Sequence, residues 1–245
     1  MYRITKLLLA LIFTATLAEC ARADETIKRV VLPKQVDLRE RLTQWQLKPR
    51  SQGGRKTCSV FAAAGALEFA VSRYFQRGVT LSIEYLNWAC NQVIGNQTED
   101  RGQFFYDLIR GYERYGICFD ADMPYQDHFN PNLRPSEQAM GRAREVRTIG
   151  LKVYWINSWK AQKGLTDEQL WGIKIVLAEG YPVAVGSTHS NLIVGYSDDL
   201  QQPGGGIFLV KDSAIAAYDT ITYEFVKQEV GDVLWIEAQE KLVSK

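Results

Sequence analysis

Gln52-Gly53-Gly54-Arg55-Lys56-Thr57-Cys58-Ser59-Val60-Phe61-Ala62 joins a glycine turn to an apolar run that continues through Ala63-Ala64-Gly65-Ala66-Leu67-Glu68-Phe69. The run reads as a buried helix from Cys58 to about Phe75, with Gly78 ending it. That reading puts a thiol in the first turn of a helix. Unpaired backbone N–H groups and the helix dipole there favour the thiolate over the thiol. Arg55 and Lys56 would add to the effect if they point inward. Cysteine chemistry then needs a base for the thiol proton, a group to orient that base, and donors for an oxyanion.

The first half of the chain is mostly helical. Residues 24–50 are polar and irregular, broken by Pro33 and Pro49. Ser82 is placed to cap a helix through Tyr85, Leu86 and Trp88. Phe104, Leu108 and Tyr112 then recur at helical spacing up to Gly116. The second half changes period. Val146 to Trp155 alternates partly like a strand, and Thr166 with Gln169 forms a capping box before Leu170, Ile173 and Leu177. Pro182-Val183-Ala184-Val185, Asn191 to Val194, Ile207 to Val210 and Val233 to Ile236 read as strands. A helical region over about residues 50–130, then a β-rich region over about 131–245, is an α+β architecture.

Composition excludes several classes. Apolar residues at 46% and charged residues at 23% are ordinary for a globular protein. Lys plus Arg total 29 against 28 Asp plus Glu, so no field draws the chain to nucleic acid or an anionic membrane. Residues 1–23 read as a signal peptide: Arg3 and Lys6, the apolar run Leu7 to Leu17, then Ala21-Arg22-Ala23 before Asp24. A lipoprotein signal at Cys20 is disfavoured by Glu19, which stands where a small residue is needed. No later segment is long and apolar enough to span a membrane. The expectation is a soluble, exported chain, periplasmic or extracellular, acting as a monomer. The exported part keeps Cys58, Cys90 and Cys118, and an odd count in an oxidising compartment points to one bridge and one free thiol. A Cys90–Cys118 bridge would contribute about 3–4 kcal/mol and leave Cys58 free, although arithmetic alone does not choose the pair.

The chain has two histidines. His128 lies in a polar loop and reads as a surface residue. His189 precedes the apolar strand Leu192-Ile193-Val194-Gly195-Tyr196, which can hold it rigidly at a cleft. Asp212 follows Ile207-Phe208-Leu209-Val210-Lys211. If the two strands pair, its carboxylate reaches the ring nitrogen facing away from Cys58.

These residues together resemble the papain-like cysteine peptidases. The stretch from Gln52 to Ala62 is similar to their active-site motif, with its glutamine before the nucleophile and an aromatic-alanine pair after it. Val36-Asp37-Leu38-Arg39 resembles the opening of their mature domain. Leu81-Ser82 with Leu86 and Cys90, Tyr115-Gly116-Ile117 with Pro124-Tyr125, His189 before Gly195-Tyr196, and Lys211-Asp212-Ser213 follow the family order. The resemblance implies a two-lobed papain-like fold, with the active-site cleft between a helical and an antiparallel β-rich lobe. It implies Cys58 as nucleophile, His189 as general base and later acid, Asp212 as the group orienting His189, and Gln52 as an oxyanion donor beside the Cys58 backbone N–H. It implies no cofactor and no metal, and a peptide or protein as substrate.

Departures qualify the resemblance. Asp212 stands where the family has asparagine, Ala214 replaces a shielding tryptophan, and Arg55 replaces a disulfide cysteine. The short turn from Val185 to His189 is more similar to peptidases that trim double-glycine leaders. The stretch from Asp24 to Cys58 is too short for the usual inhibitory propeptide, and a separate inhibitor protein is a candidate partner. Gly102 is placed either on a specificity pocket or at a helix start. Glu99-Asp100 and Asp198-Asp199 read as solvated pairs, and Tyr154, Trp155 and Trp159 as core or cleft wall. Two other functions use the same residues: an acyl transferase or amidase, marked by amine acceptors in its products, and an inactive peptide-binding protein, marked by a thiol that titrates normally, near ~8.5.

Overall fold

A computed structural model of the chain describes residues 31–161 and 163–238. The signal-peptide reading for residues 1–23 lies outside the described residues. The stretch expected to be irregular instead opens with β1 (Gln35–Asp37) and α1 (Arg39–Gln44). A strand of three residues is too short for its alternation to be read, and its partner lies far along the chain.

Helices α2 (Cys58–Phe75), α3 (Ile83–Ile94) and α4 (Phe105–Tyr115) occupy the expected places. Ser82 caps α3, its Oγ accepting the Tyr85 N–H at 2.9 Å. Helix α2 is buried on nearly every side, and small residues from Ala62 to Ala66 let the neighbouring layers approach it closely. It packs against α3 and α4 on one side and against the sheet on the other.

A further helix, α5 (Glu137–Arg147), occupies the region where a strand was expected to begin at Val146. Ala139, Ala143 and Val146 recur at helical spacing and bury one face, with Ala139 and Ala143 beside Tyr85 and Cys118. The change from helix to strand therefore falls between Arg147 and Leu151, not near residue 131.

The remainder is β2 (Leu151–Asn157), α6 (Asp167–Ala178), β3 (Val183–Gly186), β4 (Asn191–Asp198), β5 (Gly206–Asp212), β6 (Ala217–Thr222), α7 (Tyr223–Glu229) and β7 (Asp232–Ala238). The capping box of α6 is formed: the Gln169 N–H donates to Thr166 Oγ1 at 3.2 Å, and the Thr166 N–H donates to Gln169 Oε1 at 2.9 Å. The strands make one antiparallel sheet in the order β2-β7-β3-β4-β5-β6. On one side of β4, β3 pairs with Asn191–Ile193 and β1 with Gly195–Ser197. The architecture is α+β, as expected. No helix among the described residues is long and apolar enough to cross a membrane.

Gly195 is where β1 seats on β4. A Cβ there would lie 2.4 Å from the Val36 carbonyl oxygen, backbone that cannot yield without breaking the pairing. Gly195→Ala is expected to lower stability by about 1–3 kcal/mol. An unchanged urea midpoint would show that β1 does not depend on this contact.

The Cys90–Cys118 bridge is corrected: both residues are free thiols. Cys90 lies on the face of α3 that carries Leu86 into the main core, whereas Cys118 packs against the Tyr85 and Ala89 face. Cysteine counting carries no information on which way a helix turns its side chains. Burial pushes both thiols up, Cys118 to about 12 and Cys90 further, so neither supplies a reactive thiolate.

Candidate active site

Cys58 is the first residue of α2, half-buried, with its thiol free. The preceding Thr57 does not cap the helix through its side chain; its hydroxyl instead hydrogen-bonds the Tyr125 hydroxyl at 2.7 Å. His189 stands in the short turn between β3 and β4. Ser187 pinches that turn, its Oγ donating to the His189 carbonyl at 2.8 Å and accepting the His189 N–H at 3.3 Å. Asp212 is the last residue of β5, which pairs with β4 through Leu192 and Lys211. That pairing places Asp212 Oδ1 2.9 Å from His189 Nε2. The same oxygen accepts the Ala214 N–H at 2.7 Å, which fixes the carboxylate. With Nε2 engaged, Nδ1 is the ring nitrogen left to meet Cys58.

The electrostatics fit a thiolate–imidazolium pair. Burial alone would raise the Cys58 thiol, but hydrogen bonds from His189 and from the Ser190 N–H bring it below its ordinary value. His189 is raised to about 9, chiefly by its hydrogen bond with Cys58; burial opposes the shift and Asp212 reinforces it. Each charge therefore stabilises the other.

Gln52 lies beside this pair in the turn before α2. Its Nε2 donates to the Arg55 carbonyl at 2.7 Å, and its Oε1 accepts from Ser213 Oγ at 2.7 Å. A backbone bond from the Gln52 N–H to the Ser213 carbonyl, 2.9 Å, ties the same two segments again. The amide therefore cannot flip, and it keeps a second N–H hydrogen. Ser213 was missed as a supporting residue; its only sequence signal was its place after Asp212.

Arg55 points inward, but away from Cys58. It is 5% exposed, and all five guanidinium N–H groups are used. Glu84 takes two at 2.5 and 3.2 Å, Asp100 two at 2.6 and 3.2 Å, and the Gln126 carbonyl one at 2.8 Å. The ring of Tyr125 lies 4.7 Å from the guanidinium carbon. The solvated reading of Glu99-Asp100 is thus corrected at Asp100, which joins the loop before Cys58 to the loop before α4. Asp198 is corrected likewise: it accepts from Lys174 at 2.6 Å and from the Tyr223 hydroxyl at 2.8 Å. Neither contact was readable, because each partner comes from a distant element.

A cavity of about 600 Å³ opens beside Cys58, walled by Ile94, Gly102, Phe104, Trp159 and Gly186. Gly102, with φ +78°, is on the cavity wall and precedes α4. Trp159 is cleft wall as expected, edge-on to Phe104 at 5.2 Å, while Tyr154 stacks on Trp235 at 4.5 Å. His128 is exposed on a loop outside the site. Ala214 and Ile215 are exposed at the β5–β6 turn, and no tryptophan stands there beside the His189–Asp212 bond.

Solved structures define the fold. Xylellain, a cysteine protease from Xylella fastidiosa, superposes with a TM-score of 0.65 at 19% identity, covering 86% of this chain and 88% of that one. Digestive procathepsin L 3 of Tenebrio molitor larval midgut gives 0.63 at 16% identity over 86% of this chain and 72% of that one. The proform of the ragweed pollen cysteine protease Amb a 11 gives 0.61 at 18% identity over 88% of this chain and 69% of that one. The chain therefore has the papain-like cysteine protease fold. No protein-family model and no curated protein matches it.

Proposed function

We propose that this chain is a cysteine peptidase that hydrolyses peptide bonds through an acyl-enzyme on Cys58. The observation that carries the reading is His189, held 2.9 Å from Asp212 and electrostatically coupled to Cys58, at a helix start beside an open cleft. In this mechanism the Cys58 thiolate attacks the scissile carbonyl. The second Nε2 hydrogen of Gln52 and the Cys58 backbone N–H take the developing oxyanion. The His189 imidazolium protonates the leaving amine, then as a neutral base activates the water that releases the acyl group. Asp212 holds the ring in place and stabilises its charge, the part asparagine plays in the family. Export to the periplasm or beyond, action as a monomer, and restraint by a separate inhibitor protein belong to the same reading and rest on sequence.

The purified protein is expected to cleave members of a peptide library. A thiol-directed epoxide is expected to inactivate it, with the label mapping to Cys58. No cleavage of any peptide, or a label on Cys90 or Cys118 with Cys58 unmodified, would refute the assignment. Products joined to added amines would make the reaction acyl transfer instead.

The pH profile follows from the pair. His189 is raised, so its proton is present below about 9 and lost as pH rises through that value. Cys58 is lowered, so the thiolate persists below 9.0, its ordinary value. Activity is expected to fall on the alkaline side with a midpoint near 9 as the acid for the leaving amine disappears. An alkaline midpoint at the ordinary histidine value would contradict the ion pair.

A further inference from the structure

The connection from β2 to α6 carries Trp159 and is pinned to the β-rich half of the chain at both ends. Asn157 Nδ2 donates to the Gly231 carbonyl at 2.8 Å, and Gln169 of the capping box donates to Asn157 Oδ1 at 2.9 Å. At the far end the Gly164 N–H donates to the Val230 carbonyl at 2.9 Å and the Leu165 N–H to the Lys227 carbonyl at 3.1 Å. Gly164 has φ +96°, and a Cβ there would lie 2.4 Å from the Lys227 carbonyl oxygen, so only glycine lets the connection close down on α7. Between these anchors the Trp159 indole rests on bare backbone: a Cβ at Gly231 would lie 3.5 Å from its Cδ1.

The partner of that indole comes from the other half. Phe104 immediately precedes α4, where its carbonyl accepts the Asp107 and Leu108 N–H groups at 3.0 and 3.1 Å and so holds the residue in place. The two rings meet edge to face, with 5.2 Å between centroids and 62° between planes. Both wall the cavity that contains Cys58, so their contact joins the helical and β-rich halves across it. Trp159 is 52% exposed and Phe104 54%, which puts the contact at the mouth of the cavity and not in its packed floor. An extended peptide advances about 3.3 Å per residue. A cavity of about 600 Å³ therefore holds only a few residues beside Cys58 before the chain meets this contact.

We propose that the Trp159–Phe104 contact is a bar across the cleft that restricts cleavage to bonds within a few residues of one end of a peptide. The inference rests on the peptidase reading and names its substrate class, short peptides and free chain ends. The bar discriminates by what it excludes. A chain that continues past it has to part the rings or bend away. Such a chain is expected to lose about 10-fold in kcat/KM, the upper end of what parting an aromatic pair costs.

The test uses two series of internally quenched peptides built around one cleavage site, which mass spectrometry maps. One series is lengthened a residue at a time on the amino side of the bond, the other on the carboxyl side. The ratio of kcat/KM for long over short peptide is read within each enzyme, which cancels any change a substitution makes at Cys58 and His189. For the wild type the ratio is expected to hold or rise along one series and to fall about 10-fold along the other. Trp159→Ala and Phe104→Ala are each expected to bring that ratio back near one, whereas Trp159→Phe keeps a ring and retains the fall. A wild-type ratio near one in both series, or a fall that survives both alanine variants, overturns the inference and leaves the peptidase reading intact. No cleavage of any peptide, with Cys58 inert to iodoacetamide, overturns that reading and the inference with it. Should one alanine variant not fold, the other decides, since either truncation removes the contact.

Discussion

Cys58→Ala is expected to lower kcat/KM for peptide cleavage on the order of 10⁴-fold or more, with the folded structure retained. Among the described residues the covalent step has no substitute: the other two thiols there are buried and pushed up, and neither lines the cleft. The same variant carries a second, spectroscopic signature. The hydrogen bond with Cys58 is the largest cause of the raised His189 value, so its removal should bring His189 down from about 9 toward its ordinary 6.5. Asp212 alone would then hold it partly up. An imidazole titration unchanged in Cys58→Ala would show that sulfur and ring do not interact, whatever the activity. A fall in activity with that titration unmoved would leave Cys58 essential but the ion pair disproved.

Arg55→Met is expected to be the most damaging substitution for stability. It would leave the Glu84 and Asp100 carboxylates buried together without their cation, costing about 3–5 kcal/mol. For a chain of this size that lowers Tm by roughly 6–20 °C. Arg55→Lys should recover part of the loss only, since an ammonium cannot supply five donors in one plane. A variant as stable as the parent at neutral pH would mean that water or a rearrangement satisfies both acids. The family resemblance puts a disulfide cysteine where Arg55 stands. Here an ion cluster joins the loop before Cys58 to the loop at Asp100, one without the redox dependence of a disulfide.

Much of the site was legible because its chemistry is local. A thiol at the head of an apolar helix, a histidine before an apolar strand and an aspartate at another strand's end are each readable within a few residues. Their order along the chain resembles that of the papain-like cysteine peptidases. The α+β class followed from the change of hydrophobic period, and the caps at Ser82 and Thr166 were readable because a cap acts within three residues of itself. Helix α5 was misread for the opposite reason: Val146 to Trp155 spans the end of a helix and most of a strand, so neither period dominates.

The amino-acid order alone determined the helical identity of Cys58–Phe75, the placement of the Cys58 thiol at its start, and the strands that carry His189 and Asp212. Tertiary structure alone decided which side chains meet. It brought Arg55 to Asp100 and Gln52 to Ser213, kept Cys90 apart from Cys118, and laid Asp232 against Gly186. The reason is physical: secondary structure follows from short-range periodicity, whereas ion pairing and cavity lining depend on how distant elements pack and which way each face turns.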